Sequence, residues 1–468
     1  MKKNAIIVLL TAGIILFLTT GCKKEIITEE QTTDIKTMSL EEKGQLKQTR
    51  YYNNEVVVKW MNMQLRILRS SPTPVGGLMP GRYFGYCGIA LYESVVQGMH
   101  AYQSLYGQLT DMPAMPATLQ HAAYHWAASA NAALAFMNRS FFAASTAENL
   151  AAIDSLENAL HAAYALETNA TTLQRSVDFG KAVAQLVFDW SKTDGTFDVN
   201  PVYVPPTGPG MWVPTPPAYA PATAPYWGNH RLLVQGSLNY STPYPPPPYS
   251  TEPSSKYFRM VKEVYDVSQH LTADQIAQGL YYRDFPGYGG GHYCCILMQI
   301  LQQDKSMLDK AAMAYAKAGI ACIEAGIGCW RIKYKYNVER PITFITNEMN
   351  HPDWVPLFAT PAFPEYTSGH STVGGAFTTV MTDLFGENYH FTNHTYDYLG
   401  MAPRSFNSFK ELANDISTAR VLAGIHYRIS CIRGQAAGER IGQNINHKLK
   451  FYKAEDDHDC HNHHEAGS

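Results

Sequence analysis

Apolar residues recur at helical spacing along most of the chain. Positions i, i+3, i+4 and i+7 are apolar in one segment after another, and almost no stretch alternates with a period of two. In the first half this pattern predicts helices at 56–68, 83–102, 119–137, 150–166 and 173–190. In the second half it predicts helices at 254–278, 293–303, 307–339, 371–384, 409–423 and 434–449. The sequence therefore predicts an all-α fold, built as a large helical bundle.

A proline-rich segment separates the two helical halves. Between residues 201 and 250 lie 14 of the 27 prolines, which forbid helix and favour extended geometry. Such composition is typical of a linker, but Met211, Trp212, Tyr219, Tyr226 and Trp227 carry more apolar surface than a free linker needs. We therefore predict an ordered arm at 201–253 that packs over the helices. It lies between an N-terminal helical region (51–200) and a catalytic helical region (254–450).

The N-terminus has the features of an export signal. Lys2 and Lys3 precede an uncharged run at 5–20, which is short for a bilayer span and ends at Gly21-Cys22. The ending resembles a bacterial lipoprotein signal, and this implies that Cys22 becomes the lipidated first residue. We expect a signal peptide at 1–21, a polar tether at 22–50 and attachment to the bacterial cell envelope, at its periplasmic or outer-membrane face. An ordinary signal peptide or an uncleaved anchor is the alternative.

The charge balance limits the classes of partner. Lys+Arg number 37 against 40 Asp+Glu among 468 residues, a net charge of −3, so the chain lacks the positive field of nucleic-acid binders. An apolar content of 46% excludes a disordered protein, and a charged fraction of only 16% indicates elements buried on several sides. We expect a small-molecule substrate and a membrane contact only through the lipid anchor. The oligomeric state stays open.

The cysteines after Cys22 give no disulfide framework. They are seven in number at irregular spacing, and we expect most of them to be small core residues. The tail at 451–468 is rich in histidine. It either binds a metal weakly or is a solvated terminus. Its candidate ligands are His458, Cys460, His461, His463 and His464.

The first candidate segment for chemistry lies at the end of the long predicted helix at 307–339. Lys333 and Arg340 are seven residues apart, so on a helix they point the same way, two turns apart. Their long stems could converge on one oxyanion, and Pro341 is expected to end the helix. Trp330 lies one turn earlier on the same side. A solvated basic helix face is the alternative.

The second candidate segment is Ser368-Gly369-His370, followed by an apolar run rich in small residues. Ser368 is a plausible N-cap, and Gly369 allows a backbone N–H to approach a ligand closely. The helix would aim its N–H groups and its positive dipole end at an anion that His370 also reaches. A capped helix with a satisfied histidine is the alternative.

The third candidate segment contains Arg420 and His426. A spacing of six puts the two side chains about 120° apart on a helix, so they meet only if the chain bends, and Gly424 is a suitable place. Together the three segments supply three cations, a serine, a backbone amide and two histidines. Charge-assisted hydrogen bonds to an oxyanion are each worth about 1.5–3 kcal/mol. One histidine can bind the central atom and the other can move a proton.

These motifs resemble the superfamily of vanadium-dependent haloperoxidases and type 2 phosphatidic acid phosphatases. The superfamily's three motifs appear in their usual order as Lys333…Arg340-Pro341, Ser368-Gly369-His370 and Arg420…His426. The arm, with Trp212-Val213-Pro214, also looks like the bacterial haloperoxidase-like lipoprotein branch. The resemblance implies a helical bundle that binds vanadate, or phosphate in a phosphatase.

The resemblance also implies a role for each site residue. His426 would ligate vanadium in vanadate, or attack phosphorus, and His370 would act as acid and base. Trp330 and Phe363 resemble the aromatic residues that line a halide pocket, with core packing as their alternative role. The equatorial oxygens would be held by Lys333, Arg340, Arg420, Ser368 and the amide of Gly369.

The chain departs from the superfamily pattern at three positions. Thr367 stands where proline usually precedes Ser-Gly-His, and Ala419 where serine precedes the arginine. Ser430 replaces the aspartate four residues after the histidine, a carboxylate that the resemblance implies to support and polarise that histidine. A serine cannot supply the charge. Either Asp415 or another acid compensates, or the site is less active.

Three functions remain open at this point. The preferred one is a vanadium-dependent haloperoxidase-like enzyme that oxidises halide with hydrogen peroxide at a histidine-bound vanadate. The second is an exported acid phosphatase that works through a phosphohistidine, since the lipid phosphatases of the superfamily cross the membrane several times and this chain has no suitable spans. The third is an oxyanion-binding lipoprotein with little turnover, which the substitution at Ser430 favours.

Overall fold

In the computed structural model, which describes residues 47–71, 77–283 and 291–454, α-helices carry nearly all of the regular structure. The first half contains α1 (Glu55–Ser70), α2 (Met79–Val95), α3 (Trp126–Phe141), α4 (Ala147–Tyr164) and α5 (Ala170–Ser191). The second half contains α6 (Lys256–Ser268), α7 (Ala273–Tyr281), α8 (Gly291–Asp304), α9 (Leu308–Tyr336), α10 (Pro341–Asn347), α11 (Gly369–Phe385), α12 (Phe409–Leu422) and α13 (Arg428–Lys448). The predicted all-α class is confirmed. A short antiparallel ribbon, β1 (Phe391–Asn393) and β2 (Arg404–Phe406), pairs Phe391 with Phe406.

Capping side chains explain two differences from the predicted helices. The helix predicted at 119–137 begins only at Trp126, because the side chain of His125 caps it by accepting the N–H of Ala128. The helix predicted at 254–278 is two helices. Thr272 starts the second of them through a reciprocal capping box with Gln275.

The predicted helix at 307–339 ends earlier than its pattern suggests. α9 stops at Tyr336, and Asn337 takes a left-handed conformation with φ of 47°. Pro341 then begins α10, which the sequence pattern missed, in the first helical position that proline favours. Lys333 and Arg340 therefore do not share a helix face, and that part of the prediction is wrong. The two side chains approach the site from a helix and from a bend.

The long helix α9 joins the two halves of the bundle, since it packs against α2 on one side and α11 on the other. The core of apolar residues is continuous across both halves. A second, smaller cluster lies beneath the bends that carry the candidate site residues. It includes Tyr257, Val338, Phe344, Tyr366 and Tyr427.

Small residues allow α11 and α13 to pack with their backbones in contact. Gly434, Gly438 and Gly442 repeat every four residues along one face of α13. A methyl group on Gly438 would overlap the carbonyl oxygen of Thr372 in α11. This close approach fixes the N-terminal end of α11 against the bundle.

The proline-rich segment lies against the bends that follow α9 and precede α11. The N–H of Trp212 donates to the carbonyl oxygen of Asn337 at 2.6 Å, and the N–H of Glu339 donates back to Gly210 at 2.9 Å. Further along, Thr223 N–H donates to the carbonyl of Ala362 at 2.8 Å. The segment therefore braces both bends.

The cysteines within the described residues are buried free thiols, in agreement with a core role. These are Cys87, Cys294, Cys295, Cys322, Cys329 and Cys431. The predicted signal peptide, Cys22, most of the tether and the histidine-rich tail lie outside the described residues. Among the described helices, none combines the length and the apolar character needed to cross a bilayer.

The contact between α11 and α13 gives a test of the packing. Gly438→Ala is expected to lower the free energy of unfolding by about 1–3 kcal/mol, because the added methyl forces two helix backbones apart. Gly81→Ala is the matched control, since a methyl there meets no atom within 4 Å and alanine favours the helix, so we expect no loss. Urea denaturation of both variants measures the difference. Equal stability of the two variants would contradict the close packing.

Candidate functional site

The three candidate segments meet at one end of the bundle. Lys333 lies in the last turn of α9 and Arg340 in the bend before α10. The Ser-Gly-His segment opens α11, Arg420 lies in the last turn of α12, and His426 lies in the bend before α13. That bend follows Gly424, whose φ of 77° turns the chain as the sequence predicted. Side chains from all three segments are therefore brought together.

Lys333 is buried and held by backbone oxygens. Its Nζ donates to the carbonyls of Pro364 at 2.8 Å and Glu365 at 2.9 Å. Burial lowers the pKa of Lys333 to about 7, and nearby Arg340 acts in the same direction. An anion beside this ammonium would favour its charged form.

Arg340 is fixed by backbone carbonyls of two segments, the loop before α11 and the bend before α13. Its Nε donates to the carbonyl of Phe363 at 2.9 Å, and one terminal nitrogen donates to Ile425 at 2.9 Å. The other terminal nitrogen lies 3.3 Å from the carbonyl oxygen of Pro361. Burial lowers the pKa of this guanidinium to about 10. Its planar fork is thus held in one orientation.

Arg420 completes a group of three buried cations. Its side chain is 2% exposed and donates to the carbonyl oxygen of Tyr282. Its guanidinium carbon lies 5.5 Å from the ring centroid of Phe358. Together with Lys333 and Arg340 it lowers the pKa of His426, so its charge also acts on the site.

Ser368 caps α11, as predicted. Its Oγ accepts the N–H of Ser371 at 3.3 Å and the hydroxyl of Ser371 at 3.0 Å. The hydroxyl proton of Ser368 can therefore point elsewhere, into the site. The first N–H groups of α11, which no helical carbonyl can pair, lie at the same place.

Gly369 leaves a gap beside this helix end. A Cβ at this position would lie 3.3 Å from the ring of Trp330 and 4.0 Å from Cε of Lys333. Any side chain would therefore fill the space between an aromatic ring and a buried cation. Without one, the backbone N–H of Gly369 is open to a ligand.

His426 is held as a neutral imidazole of one tautomer. Its Nε2 lies 3.3 Å from a terminal nitrogen of Arg340, which can only donate, so Nε2 carries the lone pair. Its Nδ1 therefore carries the proton and donates it to Oε1 of Glu365 at 2.7 Å. Burial lowers the pKa of His426 well below its usual value, and the three cations and His370 add to this effect. A lone pair on Nε2 is what a ligand or nucleophile requires.

Glu365 is the residue that the sequence analysis missed. Its side chain is 0% exposed, and Oε1 also accepts the N–H of Tyr427 at 3.0 Å. Burial raises its pKa to about 7, against the opposite effects of Lys333, Arg340, the Tyr427 N–H and Ser430. A signal was present, because Glu365 is the single acid between Asp353 and Asp383 and precedes Ser368 by three residues.

Asp415, the compensating acid named from the sequence, does not contact His426. Its carboxylate forms an ion pair with Arg404 at 2.6 Å and accepts hydrogen bonds from Gln278 and Tyr282. The carboxylate of Asp415 thus joins α12 to β2. The acid that contacts His426 is Glu365.

Trp330 and Phe363 lie together at the site, with ring centroids 5.1 Å apart. Nζ of Lys333 lies 5.0 Å from the ring centroid of Phe363, and the guanidinium carbon of Arg340 lies 4.8 Å from it. Nε1 of Trp330 is buried and has no hydrogen-bond partner within the described part of the chain. The pair forms an apolar wall next to the cations.

His370 lies in the first turn of α11 and is half-buried, unlike His426. It is close enough to His426 to lower the pKa of that residue. The hydroxyl of Tyr293 donates to its carbonyl oxygen at 3.1 Å. His370 thus lies near His426 and is itself partly exposed, so it can exchange a proton with solvent.

The arrangement fits a tetrahedral or trigonal-bipyramidal oxyanion such as vanadate. Buried cations such as Lys333, Arg340 and Arg420 attract an anion. Gly369 has no side chain to keep an oxygen of the anion away from the backbone N–H. The lone pair of His426 Nε2 points among the cations and can bind the central atom.

Known proteins resemble this chain in sequence and in fold. Residues 313–454 match the family of the second helical-bundle domain of VCPO. A stretch of 79 residues is 33% identical to the vanadium chloroperoxidase of Curvularia inaequalis, over 14% of this chain and 13% of that protein. The match thus spans only a small part of this relative's length.

Solved structures extend the likeness to most of the chain. Two crystal structures of bacterial vanadium-dependent chloroperoxidase, one apo-type and one holo-type, share the fold. Their TM-scores are 0.62 and 0.61 at 14% and 16% identity, over 81% and 80% of this chain and 96% and 92% of theirs.

The crystal structure of the first bacterial vanadium-dependent iodoperoxidase is 30% identical, has a TM-score of 0.77 and covers 86% of this chain. Its own chain is matched over 98% of its length. Such an identity over nearly a whole haloperoxidase goes beyond a shared fold, and the chain belongs to the superfamily of vanadium-dependent haloperoxidases and type 2 phosphatidic acid phosphatases.

Proposed function

We propose that this protein is a vanadium-dependent haloperoxidase that oxidises halide with hydrogen peroxide. The observation that carries the proposal is the lone pair of His426 Nε2, presented among three buried cations. Bound vanadate would supply a Lewis-acidic centre at which hydrogen peroxide becomes an oxidant for halide. Iodide is the first halide to assay, because the structure at 30% identity is that of an iodoperoxidase.

The residues of this chain divide the work of binding and proton transfer. His426 would hold the vanadium through Nε2, and the buried cations would neutralise the oxygens that carry negative charge. A nitrogen of the His370 imidazole would pass protons between peroxide and solvent. The equatorial oxygens would be held by Lys333, Arg340, Arg420, Ser368 and the N–H of Gly369.

The aromatic wall supports a halide pocket beside the cations. Trp330 and Phe363 exclude water beside Lys333, and the buried Nε1–H of Trp330 can donate to an anion. Large, weakly hydrated halides are favoured by such a surface, since little hydration is lost when they leave water.

Phosphate-ester hydrolysis is the second candidate function. The contact between Glu365 and His426 favours it, because a histidine that a carboxylate orients and that keeps its lone pair on Nε2 is an activated nucleophile. Two assays on the same preparation separate the functions. Halogenation with peroxide after vanadate addition, without hydrolysis of an aryl phosphate, is expected. Hydrolysis without halogenation would replace the proposal, and the absence of both would leave an oxyanion binder with little turnover.

The two histidines are expected to fail in different ways. His426→Ala should lose vanadate binding, whereas His370→Ala should keep affinity within about tenfold and lose about 10²–10⁴-fold in kcat, the usual contribution of a general acid or base. Isothermal titration with vanadate and steady-state kinetics measure the two effects. Unchanged affinity in His426→Ala would reject it as the ligand.

The gap at Gly369 gives a further prediction. Gly369→Ala is expected to weaken vanadate and phosphate binding at least tenfold, because its methyl enters the space between Trp330 and Lys333. Gly326→Ala is the matched control in α9, where a methyl would meet Leu78 and Trp227 only at ordinary distances of 3.5 and 3.8 Å. Both affinities are measured by titration at one pH. Wild-type affinity in Gly369→Ala would show that the anion binds elsewhere.

A further inference from the structure

The buried contact between Glu365 and His426 has no counterpart among the three motifs, whose aspartate position is Ser430 in this chain. We propose that Glu365 is the positioning residue of His426 and performs, from the loop before α11, the task that the motif assigns to an acid at position 430. In this chain the acid would thus act from the segment before Ser-Gly-His and not from the segment after the histidine. The inference rests on the proposed function of His426 as the ligand of vanadium.

The backbone of Glu365 is fixed on both sides, which aims its side chain. Its N–H donates to the carbonyl of Val338 at 2.9 Å, and its own carbonyl accepts from Nζ of Lys333 at 2.9 Å. The backbone of Glu365 is therefore held between the end of α9 and the bend that follows it, and this fixes the position from which the side chain extends. A side chain placed in this way can orient an imidazole and not merely contact it.

Two donors on the other side of the contact come from the bend before α13. Nδ1 of His426 lies 2.7 Å from Oε1 of Glu365, and the N–H of Tyr427 lies 3.0 Å from the same oxygen. The imidazole and the backbone of the next residue thus bind one atom. This double contact fixes the rotation of the ring as well as its tautomer.

Ser430 occupies the place from which an acid would otherwise act. It is 0% exposed and lies in the first turn of α13, and its Oγ, like Oε2 of Glu365, has no hydrogen-bond partner within the described residues. Two carboxylates here would repel each other in a buried space. A glutamate at position 365 is therefore compatible with a small neutral residue at position 430. If position 430 held an aspartate, we would expect a neutral residue at position 365.

This exchange predicts a distinctive pattern in a double-mutant cycle. Glu365→Gln and Glu365→Ala should each weaken the binding of vanadate and of phosphate by about 10–100-fold, the usual effect of removing the partner of a ligating histidine. Ser430→Asp alone should also weaken binding, through repulsion. Glu365→Ala combined with Ser430→Asp should bind at least tenfold more tightly than Glu365→Ala alone.

The experiment uses isothermal titration with vanadate and with phosphate, with neither halide nor peroxide present. Glu93→Gln is the matched control, because Glu93 is 1% exposed and accepts the N–H of Leu105 and the hydroxyl of Ser104 away from the site. It should bind both anions as the wild type does. Thermal unfolding of every variant verifies that each one folds.

A second measurement keeps the inference separate from the proposed function. Proton and nitrogen-15 NMR of the histidines in vanadate-free protein should show the Nδ1 proton of His426 far downfield in the wild type, as in a hydrogen bond to a carboxylate, and shifted upfield in Glu365→Gln and Glu365→Ala. If the wild type binds neither anion, the proposed function fails while this proton shift still decides the role of Glu365. The inference is overturned by an unchanged proton shift with affinity within twofold of wild type in Glu365→Gln. It is also overturned if Ser430→Asp gives no recovery in the folded double variant.

Discussion

The burial of positive charge is the constraint on which the rest of the structure depends. Lys333, Arg340 and Arg420 are almost completely removed from water, and moving an ion out of water is unfavourable by several kcal/mol. Backbone carbonyls and the carboxyl group of Glu365 compensate for part of this loss. The positive charge that these groups leave uncompensated would attract an oxyanion. A bound oxyanion would offset the unfavourable burial of the cations, and this gain in free energy would favour its binding.

The loop at 361–365 supplies most of the backbone carbonyls that accept hydrogen bonds from Lys333 and Arg340. Four of its carbonyl groups accept hydrogen bonds from two cations: Pro361 and Phe363 from Arg340, Pro364 and Glu365 from Lys333. The same loop ends in the side chain that orients His426. This short loop, which forms no helix, therefore sets the positions of Lys333, Arg340 and the imidazole of His426. Its backbone oxygens can turn towards the site because no helix uses them.

The sequence predicted the parts of the site that depend on local spacing. The N-cap at Ser368, the bend at Gly424 and the group of three cations all follow from residue types at short separations. Two other features could not be predicted from the spacing of residues: the end of α9 and the contact of Glu365 with His426. α9 ends at Asn337 because that residue takes a left-handed conformation, so the helical spacing of Lys333 and Arg340 does not describe their approach. Glu365 and His426 are 61 residues apart, and only the packing of α11 against α13 shows that they touch.

The braces made by the proline-rich segment have an evolutionary consequence. Stretches between helical regions usually tolerate insertions and drift in sequence, since few contacts cross them. Here Gly210 and Trp212 pair with residues that lie between Lys333 and Arg340, and Thr223 is bonded to the residue before Phe363. A length change in this segment would be transmitted to the spacing of the cations. The segment is therefore expected to vary in composition more freely than in length. It also limits how far a site of this kind can be transplanted onto a bundle that lacks the segment.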